Sequence, residues 1–336
     1  MRRGKLHLLL RNWLLWRCVL NGCLLGCGLL SSSVLSGAAH ADTITAAANG
    51  NASATATATT TASGGVRVTI IKTADAQVRE ALMVAGGNWS TMLTLNHVAV
   101  LVDHPQHTEL RLMFDAGLSA NVQAERQANL NWLYRQWPLL AYQHLNPARQ
   151  QLPAALRPQV IVLSHIHWDH ASGLADFPEA EVWVAPAERT FAEHAGTPAV
   201  FPTQVRTQSA SWKTIAFATN NHVPCGFDLS YDVYGDGNVL LIAMPGHTPG
   251  SVAMLVTTGK GRKLLFVGDT VWLKRAVDDQ LAKPLISRTA DDTPAQVATQ
   301  IERLAACVHS DAAIEIVPAH DGAVQDGLGY FPTWVE

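Results

Sequence analysis

Short apolar runs alternate with polar turns along most of the chain. Val66-Arg67-Val68-Thr69-Ile70-Ile71, His97 to Val102, Leu110 to Phe114, Val160-Ile161-Val162-Leu163 and Val182-Trp183-Val184 each have the length and β-branched content of a strand. Val239 to Ala243, Val252 to Val256, Leu264 to Val267 and Ala313 to Val317 repeat the pattern in the second half. Helical periodicity is rarer. Thr293 to Cys307 predicts a helix with Val297, Ile301 and Leu304 on one face and Pro294 at its start. A shorter one is expected around Ala187 to His194. From Ala120 to Leu156, Leu130, Leu133, Tyr134 and Trp137 fall at helical spacing, which predicts one or two helices broken by Pro138, Pro147 and Pro153, either packing on the sheets or capping a groove. The interval 196–237 is less regular. Strands interleaved with helices predict an α/β sandwich over 66–336 rather than a barrel.

The first 65 residues read differently. Residues 1–41 combine a basic start, an apolar stretch from about Cys18 to Leu30 and Ala39-His40-Ala41 before Asp42, the pattern of a cleaved export signal. Leu24-Leu25-Gly26-Cys27 offers a second route, a lipid anchor on Cys27. Residues 42–65 are mostly Ala, Thr, Ser, Gly and Asn and predict a flexible tether. These readings place the protein in a bacterial periplasm or outside the cell, with no membrane span after processing. The whole chain carries −3, and residues 1–41 hold five Lys and Arg and no acid, so the remainder carries −8. That balance argues against nucleic acid and for a small-molecule partner. Outside the first 41 residues only Cys225 and Cys307 remain, and an oxidising compartment would allow them to pair.

The chemistry gathers where strands end. Val160 to Leu163 runs into Ser164-His165-Ile166-His167-Trp168-Asp169-His170, three imidazoles and a carboxylate within six residues. Residues two apart in extended chain point the same way, so His165 and His167 can face one cation, while Asp169 and His170 follow as the chain turns toward a second. Three other strands end alike: Val239 to Ala243 before Gly246-His247-Thr248, Leu264 to Val267 before Gly268-Asp269-Thr270, and Ala313 to Val317 before Ala319-His320-Asp321. Each has an ordinary reading as turn chemistry. Together they complete a pair of metal sites.

The order HxHxDH, GHTPGS, GDT, PAHDG resembles the metallo-β-lactamase superfamily, with Phe114-Asp115-Ala116-Gly117 as its first acidic motif. The resemblance spans Val66 to Gly322. It implies a four-layer αββα sandwich with a helical insertion near 118–156 and a dinuclear site. One metal would take His165, His167 and His247, the other Asp169, His170 and His320, with Asp269 bridging and Asp115 orienting a ligand from behind. Zn²⁺ suits these ligands, and Mn²⁺ or Fe²⁺ fit them too. A water shared by two such cations loses a proton near neutral pH and attacks an ester, lactone or related carbonyl. Asp169 would hold it and accept its proton.

Within the superfamily, the chain is similar to the lactonase- and esterase-like branch. Many β-lactamases of the family carry Cys or Ser where Asp269 stands. Lactonases often carry Tyr three residues after the bridging acid, and here that position is Trp272. Trp168, Trp272 and Trp89 are candidate walls of an apolar groove, Trp168 and Trp272 as substrate contacts. A periplasmic β-lactamase, an organophosphate hydrolase and a catalytically silent metal-binding protein are the alternatives that share the ligand set.

Overall fold

The computed structural model describes residues 65–205, 209–219, 223–311 and 313–336. The expected export segment and all but the last residue of the expected tether lie outside the described residues. Twelve strands form two six-stranded sheets among the described residues. Sheet one holds, in spatial order, β1 (Arg67–Arg79), β2 (Met92–Asp103), β3 (Leu112–Phe114), β4 (Val160–Val162), β5 (Glu181–Val184) and β6 (Lys213–Thr214). Sheet two holds β7 (Ala218–Thr219), β8 (Leu229–Asp232), β9 (Val239–Ala243), β10 (Val252–Thr257), β11 (Lys263–Phe266) and β12 (Ile314–Val317), again in spatial order.

The period of two in each strand builds the layers. Val68, Ile70, Val100, Phe114 and Val162 point from sheet one into the same cluster as Leu241, Val252, Met254 and Phe266 from sheet two, so the sheets pack face to face. The alternate residues point outward. Ile71, Leu101, Met113 and Ile161 pack with Ala171, Leu174 and Ala192. On the other side Leu240, Ile242, Leu255 and Ile316 pack with Val297, Ile301 and Leu304 of the helix Pro294–Ser310. This is the four-layer αββα sandwich. Each fully buried aliphatic side chain contributes about 1.5–3 kcal/mol, and the three apolar clusters between the four layers draw on almost every apolar run from β1 onward.

Two segments depart from the expectations. The first hairpin is longer: β1 continues to Arg79 and pairs with β2 from Met92 onward, across an irregularity between Lys72 and Ala74. Ala74-Asp75-Ala76 has little strand propensity of its own, and the pairing carries it. The insertion near 118–156 is less helical than its spacing predicts. It contains the helices Val122–Asn129 and Ala148–Gln151 with single turns between them. The Asn131 side chain accepts from the backbone N–H groups of Leu133 and Tyr134, a turn that competes with helix just after Asn129. As a result Leu130 is buried while Leu133 and Trp137 are exposed.

Cys225 and Cys307 form a disulfide, tying the stretch before β8 to the helix Pro294–Ser310. Among the described residues, no helix is long and apolar enough to cross a membrane.

Candidate metal centre

All four motif-bearing loops leave the same edge of the sandwich, two sheets contributing to one place. The His165–His170 loop follows β4, and Val252 N–H donates to Ser164 O at 2.8 Å, joining that loop to sheet two. His247, Asp269 and His320 follow β9, β11 and β12. The turn at Gly268 has φ +52°, and a Cβ there would lie 3.1 Å from that of Ser164, so glycine lets the Asp269 loop approach the His165 loop.

The seven expected ligands converge and are all buried. His165, His167, His247 and Asp269 place one potential ligand atom each within 4.8 Å of one another, as do His170, Asp269 and His320. Asp269 belongs to both groups, with Oδ1 3.2 Å from His170 Nε2 and 3.1 Å from His320 Nε2, and Oδ2 3.5 Å from His247 Nε2. Asp169 Oδ2 lies 3.4 Å from His320 Nε2 and 3.9 Å from His170 Nε2.

The far side of each ring decides which nitrogen faces inward. His170 Nδ1 meets Asp115 Oδ2 at 2.8 Å, His247 Nδ1 meets Asp291 Oδ1 at 2.8 Å, and His320 Nδ1 donates to Asn96 O at 2.6 Å. Each leaves its Nε2 for the centre, the arrangement that fixes metal-binding tautomers. Asp115 also accepts from Ser164 N–H and Oγ at 2.7 and 2.8 Å, and it holds a positive φ of 61°.

Charge in the site is divided. Burial first, and then the surrounding imidazoles, push His165 and His167 well below the usual histidine range. Burial and the Lys283 ammonium lower His247. Those three rings are neutral and offer lone pairs. Burial works against charge on His170 and His320 as well, but there Asp115 and Asp269 outweigh it and both are raised. Burial alone would raise Asp269; His320 and His170 instead hold it well below the carboxylate range. Three buried ligand atoms, His165 Nε2, His170 Nε2 and Asp269 Oδ1, make no hydrogen bond within the protein. Buried polar atoms are nearly always paired, and these three, divided between the two ligand groups that share Asp269, fit bound cations. The donor set, five imidazoles and two carboxylates, fits a pair of them.

Two of the three tryptophans expected as groove walls, Trp168 and Trp272, are buried. Trp168 is 2% exposed and stacks on Phe201. Trp272 is 6% exposed and its Nε1–H donates to Asp269 Oδ2 at 2.8 Å. Its N–H therefore steadies the central carboxylate instead of reaching into a groove. Trp89 is exposed at 62%.

Four further residues complete the surroundings without any signal in the motif spacing. His97, in β2, puts Nδ1 3.1 Å from Asp169 Oδ2 and Nε2 3.2 Å from Ala141 O. Asp291 reads as a residue leading into a helix, yet its carboxylate turns to His247. Lys283, 3% exposed, donates to Asp291 Oδ1 at 2.5 Å and Asp269 O at 2.6 Å.

Glu188 is fully buried and joins the His165 and His247 loops. It accepts from Ile166 N–H at 2.8 Å, Thr248 Oγ1 at 2.7 Å and Gly250 N–H at 3.0 Å. A Cβ on Gly250 would come within 2.2 Å of Glu188 N, so only glycine allows this contact. Burial lifts the Glu188 carboxyl to about 7 despite its three donors. Between about pH 4.5 and 7 the folded chain keeps a proton there that the unfolded chain has released, so this group's contribution to stability is lost as pH rises through that window. Glu188→Gln is expected to flatten the fall. Urea titrations of both proteins at pH 5 and 7.5 measure it, and equal slopes would show that Glu188 does not titrate there.

A model of the metallo-beta-lactamase superfamily matches residues 93–320, from β2 to the last histidine of the centre. The chain belongs to this superfamily. Its members with similar sequence include the human acyl-coenzyme A thioesterase MBLAC2, 32% identical over 37% of this chain and 46% of that protein, and the N-acyl homoserine lactonase AttM of Agrobacterium fabrum, 28% identical over 39% and 48%. The chain spans about half the length of the curated relatives it matches. Among solved structures, an N-acyl homoserine lactone hydrolase with the product N-hexanoyl-L-homoserine at its metal centre superposes with a TM-score of 0.61 at 19% identity, over 80% of this chain and 98% of that one. The superfamily resemblance and the four-layer fold expected from the sequence are thus found, and the relatives with similar sequence include lactonases and a thioesterase.

Proposed function

We propose that this chain is an exported metal-dependent hydrolase with two divalent cations, most readily Zn²⁺, that cleaves a small lactone, ester or thioester. The observation that carries the reading is the convergence of seven buried ligands around three unpaired ligand atoms. His165 Nε2, His167 and His247 Nε2 would hold one cation; Asp169, His170 Nε2 and His320 Nε2 the other; Asp269 reaches both. When bound, the cations acidify water and polarise the scissile carbonyl oxygen. The protein's own part is orientation and proton handling. Asp169 Oδ2, 3.1 Å from His97 Nδ1, would take the proton of the attacking water and return it to the leaving alkoxide or thiolate. Trp272 and Lys283 hold the side chain and the backbone oxygen of Asp269, and Asp291 holds His247. The names of two relatives, a lactonase and a thioesterase, support an acyl carbonyl as the electrophile. The apolar stretch in residues 1–41 and the Cys225–Cys307 bridge support export to an oxidising compartment.

Metal analysis of the purified chain, with a panel of acyl homoserine lactones, aryl esters, acyl thioesters, phosphotriesters and nitrocefin, tests this. Two metals per chain are expected, with turnover confined to the acyl carbonyl substrates. Chelation should remove both metals, abolish turnover and lower Tm, because ligands that bind only the native state stabilise it. A folded chain that takes up no metal would overturn the reading, and turnover of nitrocefin alone would move it to lactams.

A further inference from the structure

The insertion between β3 and β4 contains a polar cavity that the metal centre does not use. It has a volume of ≈ 370 Å³ and is lined by Gln123, Arg126, Gln127, Arg135 and Tyr142. Two guanidinium groups line it, and among the described residues neither forms an ion pair. Arg126 Nη2 donates to Arg135 O at 3.1 Å, fixing one arginine beside the other. Arg126 Nε is buried and makes no hydrogen bond. The Arg126 guanidinium carbon sits 5.2 Å from the centre of the Tyr142 ring and 5.9 Å from that of Trp168. Burial disfavours its charge, Tyr142 offsets this, and Arg135 adds to it. The acid on the same helix is spent elsewhere: Glu125 accepts from Ser119 Oγ, Ser172 Oγ and Gln204 Nε2.

Arg135 is exposed and Arg126 half-buried, and the buried, unpaired Nε of Arg126 is the group that an anion would satisfy, in a chain whose net charge beyond residue 41 is −8. We propose that this cavity is a subsite for an oxyanionic group, a carboxylate or phosphate, carried by the substrate. The planar fork of arginine matches such groups, and the Gln123 and Gln127 amides add neutral donors. The cavity is linked to the expected centre through Trp168, whose ring lies 5.9 Å from the Arg126 guanidinium carbon. Trp168 stands between His167 and Asp169 in the chain, and Tyr142 follows Ala141, whose carbonyl oxygen lies 3.2 Å from His97 Nε2. A substrate whose acyl carbonyl meets the metals would thus carry its anion beside Trp168. Assigning the anion to a substrate rests on the hydrolase reading; the binding itself does not.

The test uses the full chain loaded with Zn²⁺ and three probes, phenylphosphonate, phenylacetate and neutral phenylacetamide, followed by calorimetry and tryptophan fluorescence. At least one anion is expected to bind, with equal affinity in the wild type and in Asp269→Asn, whereas phenylacetamide does not. The tighter anion shows whether the natural group is phosphate-like or a carboxylate. Arg126→Met should weaken binding about tenfold or more, since hydrogen bonds to charged groups are the strong ones. Arg135→Met should weaken it several-fold and, being at the surface, keeps the test valid if Arg126→Met unfolds. Unchanged affinity in a folded arginine variant, or loss of binding in Asp269→Asn, would overturn the subsite and place the anion on the metals. If no substrate turns over yet arginine-dependent binding persists, the hydrolase reading falls and the anion site stands.

Discussion

Asp269→Ala is expected to remove hydrolysis, with kcat/KM lower by about 10³-fold or more, and to reduce bound metal from two per chain to one or none. The estimate follows from the position of the carboxylate. It reaches toward both ligand groups, and losing its share of cation binding forfeits several kcal/mol of transition-state stabilisation. The damage does not stop at the cation. Trp272 Nε1–H loses its acceptor, His320 loses the main anion that raises it, and His170 loses one such anion but keeps Asp115. Asp269→Asn keeps the shape and an acceptor for Trp272 while removing the charge. It should therefore retain near-native stability and still lose most activity. Metal content, Tm and steady-state kinetics measured together separate the two effects. Activity within tenfold of wild type in both variants, at full metal content, would refute the bridging role.

Asp115→Ala should cost about 3–5 kcal/mol of stability, because it breaks a buried charged network from one side. Ser164 N–H and Oγ and His170 Nδ1 all lose their partner. The backbone adds to the loss. At φ +61° an alanine is strained, whereas Asp and Asn tolerate that region through local hydrogen bonds. Asp115→Asn separates the contributions. It suits the backbone and keeps an oxygen for Ser164 N–H, so its stability loss should be about half or less. It does not keep the negative charge behind His170. Affinity for the second metal should fall about 10–100-fold in both variants. Denaturant titration and metal competition measure the two quantities. Native affinity in Asp115→Asn would show that hydrogen bonding alone, without charge, orients His170.

How much of this was legible in the sequence depends on where each residue's partner lies. The strands were, because Val, Ile and Leu runs of four to six residues have few alternatives when both faces are buried. The convergence of the His and Asp side chains was as well, because the ends of parallel strands in each sheet deliver loops to one edge, and HxHxDH brings four candidates at once. The insertion was not. Its Leu and Trp spacing is helical, but an Asn131 turn and three prolines spend those residues on separate turns. His97, Glu188, Lys283 and Asp291 were also illegible. Each lies outside the motifs and gains its meaning from a contact with a loop far away in sequence. Glu188 is typical: on its short helix it reads as a solvent-facing acid, and only the approach of Gly250 encloses it. Trp272 was misread for a related reason. A ring next to a metal ligand can face a groove or brace the ligand, and spacing does not distinguish these.

The double origin of the centre also sets a timetable. His165 to His170 arrive with sheet one, and His247, Asp269 and His320 with sheet two, so no local segment contains either complete group of ligands. The contacts that assemble them are long-range and among the slowest to form. A refolding chain given Zn²⁺ therefore offers the complete trap for the ion only after the two sheets have docked. Tight metal capture in such an experiment is a clock for the last act of folding, one that reads the closing of the seam directly.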